Sequence, residues 1–140
     1  MSVGRLLIID DNLGDLVLFE TALEQVGDAI SVHTYTDASA ALAELDVCPR
    51  EELPRAILLD LNMPGLHGHE FLERVQDDER FGAVPIVVMS SSSIPSDVER
   101  SFALGARDHI TKRVGIAAIR EVMRGLRHHW SDDPEATSGT

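Results

Sequence analysis

Apolar and polar residues follow one another along this chain in blocks that predict five strands and five helices in alternation. Each strand candidate is a short apolar run bounded by turn residues, which is typical of a strand buried on both faces of a parallel sheet. The strand candidates cover residues 4–9, 29–35, 55–60, 84–89 and 107–110. Strict alternation favours a parallel sheet covered by helices on both faces. The predicted fold is a doubly wound α/β domain with five parallel strands in the flavodoxin-like order 2-1-3-4-5.

The segments between the strands carry apolar residues three and four positions apart, so each predicted helix has one face for the sheet. These helices cover about residues 12–26, 37–46, 68–76, 96–105 and 114–130. Asp11 or Asn12 is expected to cap the first helix, and Asp37 the second. A capping box is predicted to start the fourth helix at Ser96, and Gly105 is expected near its end.

The predicted fifth helix carries two apolar stripes, where a helix on the outside of a sheet needs only one. The core stripe consists of Ile116, Ile119, Met123, Leu126 and Trp130. The second stripe, roughly 120° away around the helix, consists of Val114, Ala118 and Val122. It is either an interaction face or a surface half-buried against the fourth helix or the fifth strand.

Composition limits the classes of function. The chain has 24 acidic residues against 12 Lys and Arg, a formal charge of -12, which argues against non-specific nucleic-acid binding. No segment approaches membrane-spanning length, and the first apolar run is too short for a signal peptide. Cys48 is the only cysteine, so no internal disulfide is possible and a cytoplasmic location is expected. Residues 1–130 are predicted to form one domain, and the acidic residues 131–140 a disordered tail.

Carboxylates follow two of the predicted strands. Asp10 and Asp11 come directly after the first strand, and Asp60 ends the third. Because parallel strands end at one edge of the sheet, where ligands bind, we expect the three carboxylates to lie together. Such charges about 4 Å apart repel by roughly 1 to 4 kcal/mol per pair. A divalent cation is therefore expected, and oxygen ligands suit Mg²⁺, with the carbonyl of Asn62 completing the set.

Two further polar residues, Ser90 after the fourth strand and Lys112 after the fifth, are expected at the same edge. Together the residues suit phosphoryl transfer. The Asp60 carboxylate can act as a nucleophile and form an aspartyl-phosphate, while the Lys112 ammonium and the Ser90 hydroxyl contact the phosphoryl oxygens. Each residue also has an ordinary explanation, as a helix cap, a strand-end hydroxyl or a solvated lysine.

Four segments in order resemble the receiver domain of two-component response regulators. They are Ile-Ile-Asp-Asp-Asn at 8–12, Leu-Leu-Asp-Leu-Asn-Met-Pro-Gly at 58–65, Val-Val-Met-Ser at 87–90 and Ile-Thr-Lys at 110–112. Ser90 and Lys112 follow Asp60 by 30 and 52 residues, which is the family's spacing. The resemblance covers residues 3–130. It implies the receiver fold, Mg²⁺ dependence, transfer of a phosphoryl group to Asp60 from a phosphohistidine of a sensor kinase, and slow self-catalysed loss of that group.

The resemblance also implies partners. The Asp-Asp-Asn start, the serine run at 90–93 and the long loop before the third strand are similar to receivers paired with phytochrome-type histidine kinases. No effector domain follows the fifth helix, so a single-domain phosphoacceptor rather than an enzyme is expected. In this family, helix four, strand five and helix five commonly form dimers, which favours a symmetric homodimer.

Two positions depart from the family pattern. His109 stands three residues before the lysine, where Tyr or Phe is usual and turns inward as the Ser90 hydroxyl moves toward the phosphate. Imidazole can also rotate, but its charge titrates near neutral pH. Arg113 stands where the family has a proline, often with a cis bond. A non-proline cis bond costs about 2.5–4 kcal/mol, so either the strain persists or the loop differs.

Other functions stay open at this point. A constitutive binding module with a vestigial acidic pocket is supported by His109 and Arg113. A flavin carrier of flavodoxin type has little support, because the loop after the first strand carries acids where a phosphate cradle needs hydroxyls and glycines. The remaining site candidates are interpreted as solvated histidines, at His67, His69, His128 and His129, and an inert Cys48.

Overall fold

The computed structural model describes residues 5–26, 31–61, 68–90, 95–111 and 116–130, and the structural statements that follow concern those ranges. Within them the chain forms five strands, β1 to β5, at Arg5–Ile9, Ser31–Tyr35, Ala56–Asp60, Ile86–Ser90 and Asp108–Thr111. Five α-helices, α1 to α5, lie at Leu13–Val26, Ala38–Val47, Gly68–Gln76, Pro95–Ala103 and Ile116–Trp130. Short 3-10 helices at Arg50–Glu52 and Glu79–Ala83 precede β3 and β4.

The strands form one sheet in the order β2-β1-β3-β4-β5, and every neighbouring pair is parallel. The predicted fold is therefore confirmed. Ile9 of β1 pairs with Leu59 of β3, and Asp60 pairs with Met89 of β4. This register brings the carboxyl ends of the three central strands to the same level.

The core lies in two layers, one on each face of the sheet. Successive strand residues point to opposite faces, so Leu7 and Ile9 pack with α2 and α3, while Leu6 and Ile8 pack with α1 and α5. All five residues of β3 and of β4 are buried. Burial on both faces explains why these strands appear in the sequence as uninterrupted apolar runs.

The ends of three helices match their sequence signals. Asn12 Oδ1 accepts a hydrogen bond from the N–H of Asp15 at 3.1 Å, and Asp37 Oδ1 accepts one from Ser39 at 2.8 Å. Gly105, at φ +99°, follows α4 and lets the N–H of Ala106 reach the carbonyl of Ser101 at 2.9 Å.

One prediction about the helices is wrong, and one of the two alternatives for the second stripe of α5 is favoured. Ser96 lies inside the first turn of α4, which begins at Pro95, so Ser96 does not cap the helix. Val122 of the supposed second stripe is buried in the same core cluster as Ile119 and Met123. The other stripe residues lie outside the described side chains, namely Val114, Ile116, Ala118, Leu126 and Trp130.

Arg5 ties α2 to the amino end of the sheet, opposite the carboxyl ends of the strands. Its guanidinium donates to Glu44 Oε1 at 2.8 Å, to the carbonyl of Glu52 at 3.0 Å and to Cys48 Sγ at 3.3 Å. Partial burial acts to raise the pKa of Glu44, but hydrogen bonds from Arg5 and Tyr35 outweigh it, and the pKa is lowered. Cys48 is buried in this contact.

Among the described helices none is long and apolar enough to cross a membrane. The longest of them, α5, has 15 residues, and a spanning helix needs about 20.

Candidate functional site

The candidate site lies at the carboxyl edge of the sheet, where three central strands end in polar residues. Asp10 directly follows β1, Asp60 is the last residue of β3, and Ser90 is the last residue of β4. All three are almost fully buried, with exposed fractions of 0%, 3% and 1%. Asp11 stands beside them and is exposed. The sequence prediction that these residues meet at one edge is borne out by their positions.

The three carboxylates form one cluster. Asp10, Asp11 and Asp60 each offer an oxygen, and these oxygens all lie within 4.8 Å of one another. Oxygen ligands of one Mg²⁺ stand about 3 to 4 Å apart, because each Mg–O distance is about 2.0–2.1 Å. The cluster therefore needs at most a small adjustment to hold such an ion, and its all-oxygen donor set suits Mg²⁺ or Mn²⁺.

The backbone fixes the direction of these side chains. The N–H of Asp10 donates to the carbonyl of Tyr35 at 2.9 Å, which extends the β1–β2 ladder by one residue. Asp10 Oδ1 accepts the N–H of Asn12 at 2.9 Å, so its carboxylate is oriented by the turn into α1. The N–H of Leu61 donates to the carbonyl of Met89 at 2.9 Å, which holds the end of β3 beside β4.

Gly68, at the start of α3, packs directly against the end of β3. A Cβ at this position would lie 2.6 Å from Leu61 Cδ2, 2.9 Å from Leu61 Cα and 3.5 Å from the carbonyl of Asp60. Only glycine allows this approach, so the start of α3 lies in direct contact with the end of β3.

Two predicted site residues, Asn62 and Lys112, lie outside the described residues, as does Arg113. Thr111, the last described residue before Lys112, pairs with Ser90 at the end of β5. The ligand role of Asn62 and the phosphate-binding role of Lys112 stay predictions.

His109 lies on β5 opposite Val88 and is half-buried. Among the described residues its buried Nε2 atom finds no hydrogen-bond partner. A buried polar atom without a partner costs about 1–3 kcal/mol.

Comparison with known families matches residues 6–124 to the response regulator receiver domain. The chain belongs to this family. Receiver domains act in two-component signalling as phosphoacceptors, and the acidic pocket in which they bind Mg²⁺ or Mn²⁺ corresponds to the Asp10, Asp11 and Asp60 cluster.

Solved receiver structures include close neighbours of this one. A phosphorylated cyanobacterial phytochrome response regulator, RcpA, is 28% identical with a TM-score of 0.82, over 92% of this chain and 94% of that one. The Mn²⁺-bound form of response regulator Rcp1 is 26% identical with a TM-score of 0.80, over 92% and 95%. This receiver domain thus resembles phytochrome-associated response regulators.

Curated relatives of this receiver domain differ in length. The probable methanogenesis regulatory protein FilR2 of Methanothrix harundinacea is 28% identical over 127 residues, 89% of this chain and 82% of that protein. Two other relatives are longer. This chain spans 35% of a protein-glutamate methylesterase/protein-glutamine glutaminase of Methanospirillum hungatei and 58% of the two-component response regulator ARR8 of Arabidopsis thaliana. Activities of those whole proteins therefore do not transfer to the receiver domain.

His69 of this receiver domain was interpreted from the sequence as a solvated histidine, and that interpretation is wrong. The side chain is only 2% exposed, in the first turn of α3. Its position three residues before the buried Leu72 was an available signal, because residues three apart share a helix face. The side chains of His67, His128 and His129 lie outside the described residues.

Proposed function

We propose that this receiver domain accepts a phosphoryl group on Asp60 from the phosphohistidine of a sensor histidine kinase. The observation that carries the proposal is the carboxylate cluster, in which buried Asp60 stands within 4.8 Å of Asp10 and Asp11. The ion would be held by Asp10, Asp11, Asp60 and the carbonyl of Asn62. Bound there, Mg²⁺ would neutralise charge developing on the phosphoryl oxygens.

In the transfer, a carboxylate oxygen of Asp60 attacks phosphorus in line with the bond to the departing imidazole nitrogen. A P–O bond forms on Asp60, the P–N bond breaks, and its electron pair leaves with the imidazole. The Ser90 hydroxyl and the Lys112 ammonium contact the phosphoryl oxygens. The reaction is thus phosphoacceptance followed by slow self-catalysed hydrolysis of the aspartyl-phosphate.

The partner is a cytoplasmic kinase of phytochrome type. Support comes from the serine run after β4, and from similarity to RcpA, which is itself a phytochrome response regulator. Residues 1–130 act as the receiver domain, and the disordered tail predicted at 131–140 lies outside the described residues.

Phosphorylation changes the conformation or the dimerisation of the domain, and this change relays the signal. Ser90 and His109 are the switch residues, since the buried Nε2 of His109 lacks a partner among the described residues and would gain from moving. A homodimer forms through α4, β5 and α5. Phe102 of α4, 47% exposed, supports such an interface, whereas burial of Val122 removes it from that surface. Sizing wild type and Phe102→Ala before and after phosphorylation tests the dimer.

Intact mass after incubation with acetyl phosphate tests phosphoryl acceptance. We expect a gain of about 80 Da, one phosphoryl group, that requires both Mg²⁺ and Asp60. Asp60→Asn should show no gain, whereas Asp46→Asn, an exposed carboxylate on α2, is the matched control and should behave as wild type. A folded protein that binds no Mg²⁺ and gains no mass would instead favour a constitutive binding module.

A further inference from the structure

Helix α4 is attached to the rest of the domain by very little apolar burial. All nine of its residues are described, and Ser101 is the only buried one. Phe102 next to it is largely exposed. A helix normally docks by burying an apolar stripe, whereas α4 has only the half-buried Val98 and, just after its end, Leu104 packed against the core, so it needs a further attachment.

A hydrogen bond with His69 of α3 provides that attachment. His69 Nε2 lies 3.1 Å from Ser101 Oγ, and both side chains are buried. Ser101 Oγ also lies 2.9 Å from the carbonyl of Asp97, to which it donates its single hydrogen. His69 Nε2 must therefore donate to Ser101 Oγ, which fixes the proton on Nε2.

The same residues connect to the candidate acceptor. His69 directly follows Gly68, whose backbone packs against Leu61 and the carbonyl of Asp60 with no room for a Cβ. At the other end, the carbonyl of Ser101 accepts the N–H of Ala106 that closes α4. A continuous series of contacts thus runs from the end of β3, through the start of α3, to the last turn of α4.

We propose that His69 is a positioning residue that couples α4 to the phosphoacceptor end of β3 through its hydrogen bond to Ser101. In the unphosphorylated protein this bond holds α4 in place. Displacement at the end of β3 is transmitted to α4 through it. The inference rests on the proposed function for the phosphorylated state, but the attachment of α4 in the unphosphorylated state is independent of it.

Hydrogen exchange of the 95–103 segment tests the coupling, with and without acetyl phosphate and Mg²⁺. His69→Leu keeps the volume and loses the donor, and we expect α4 to exchange about fivefold faster in the unphosphorylated protein. The change in α4 exchange on phosphorylation should fall at least about twofold, because the α3–α4 link is broken. His69→Gln, which keeps an N–H donor, should restore wild-type behaviour in both states.

Two further measurements separate coupling from general destabilisation. Ser101→Ala should accelerate hydrogen exchange of α4 as much as His69→Leu does. The double variant should exchange little faster than either single variant, because both substitutions remove the same hydrogen bond. Phosphoryl uptake by mass should stay within about twofold of wild type, since the acceptor cluster consists of Asp10, Asp11 and Asp60 and does not include His69.

Unchanged α4 exchange in His69→Leu, equal acceleration across the whole chain, or failure of His69→Gln to rescue would each overturn the inference. A wild-type response of α4 to phosphorylation in His69→Leu would also overturn it, and would leave the proposed function standing. Absence of any phosphoryl gain in wild type would contradict the proposed function alone.

Discussion

Replacing Asp10 by Asn should stabilise the metal-free protein and weaken its response to Mg²⁺. Two of the three carboxylate pairs in the cluster involve Asp10, and their oxygens lie within 4.8 Å. At that separation each pair repels by about 0.9 kcal/mol in bulk water and about 3.5 kcal/mol at an effective dielectric of 20. Asn keeps the Oδ1 that accepts the N–H of Asn12, so the local turn is retained.

Urea unfolding in EDTA should therefore give a free energy of unfolding about 1–3 kcal/mol higher for Asp10→Asn than for wild type. Added Mg²⁺ at about 100 times its dissociation constant should stabilise wild type by about 2.7 kcal/mol and the variant far less. Asp46→Asn on the exposed surface of α2 is the control, with a change within about 0.5 kcal/mol. An Asp10→Asn protein that is destabilised in EDTA, or that responds to Mg²⁺ as wild type does, would refute the shared site.

Three other substitutions give definite expectations. Gly68→Ala should lower the free energy of unfolding by about 1–3 kcal/mol and slow phosphoryl uptake. Gly125→Ala is the control, because a Cβ there meets open space, and it should raise the free energy of unfolding by about 0.4–1 kcal/mol. Equal effects of the two variants in urea unfolding would contradict the close packing of α3. The pKa of Glu44 is lowered in the folded state from its ordinary 4.5. The stability that ionised Glu44 contributes to the folded protein is therefore fully present above pH 4.5 and is lost as the pH falls through the folded-state pKa. Glu44→Gln should accordingly show a shallower loss of stability below pH 4.5, and an unchanged acid profile would count against the ion pair. His109→Phe removes an Nε2 atom that has no hydrogen-bond partner among the described residues and should raise stability by about 1–3 kcal/mol; a loss of stability would mean that the imidazole has a partner elsewhere in the chain.

The sheet could be predicted because its signals are local. Continuous burial of β3 and β4 requires uninterrupted apolar runs, and those runs stand in the sequence next to turn residues. The bounds of α3 at Gly68–Gln76 match the predicted ones for the same reason, since Phe71, Leu72 and Val75 have the spacing of one buried face. Clustering of the three aspartates followed from parallel strands ending at one edge.

Competing local signals and contacts between elements were harder to predict. The capping box predicted the start of α4 after Ser96, but Pro95 is favoured in the first turn of a helix, and α4 begins there. Val122 is buried because α5 packs on α1 as well as on the sheet, which widens its buried face. The spacing of His69 from Leu72 indicates its buried face, but its partner Ser101 lies 32 positions away in the sequence, and no local pattern predicts that pairing.

The most direct test of Asp60 as acceptor is chemical mapping of the phosphorylated residue. Treatment with acetyl phosphate and Mg²⁺, followed by borohydride, converts an aspartyl-phosphate into homoserine, which peptide mass spectrometry locates in the sequence. Homoserine at position 60, dependent on Mg²⁺ and absent from Asp46, is the predicted result. Homoserine at Asp10 or Asp11 instead, or none in a protein that has gained a phosphoryl group, would contradict the assignment of Asp60.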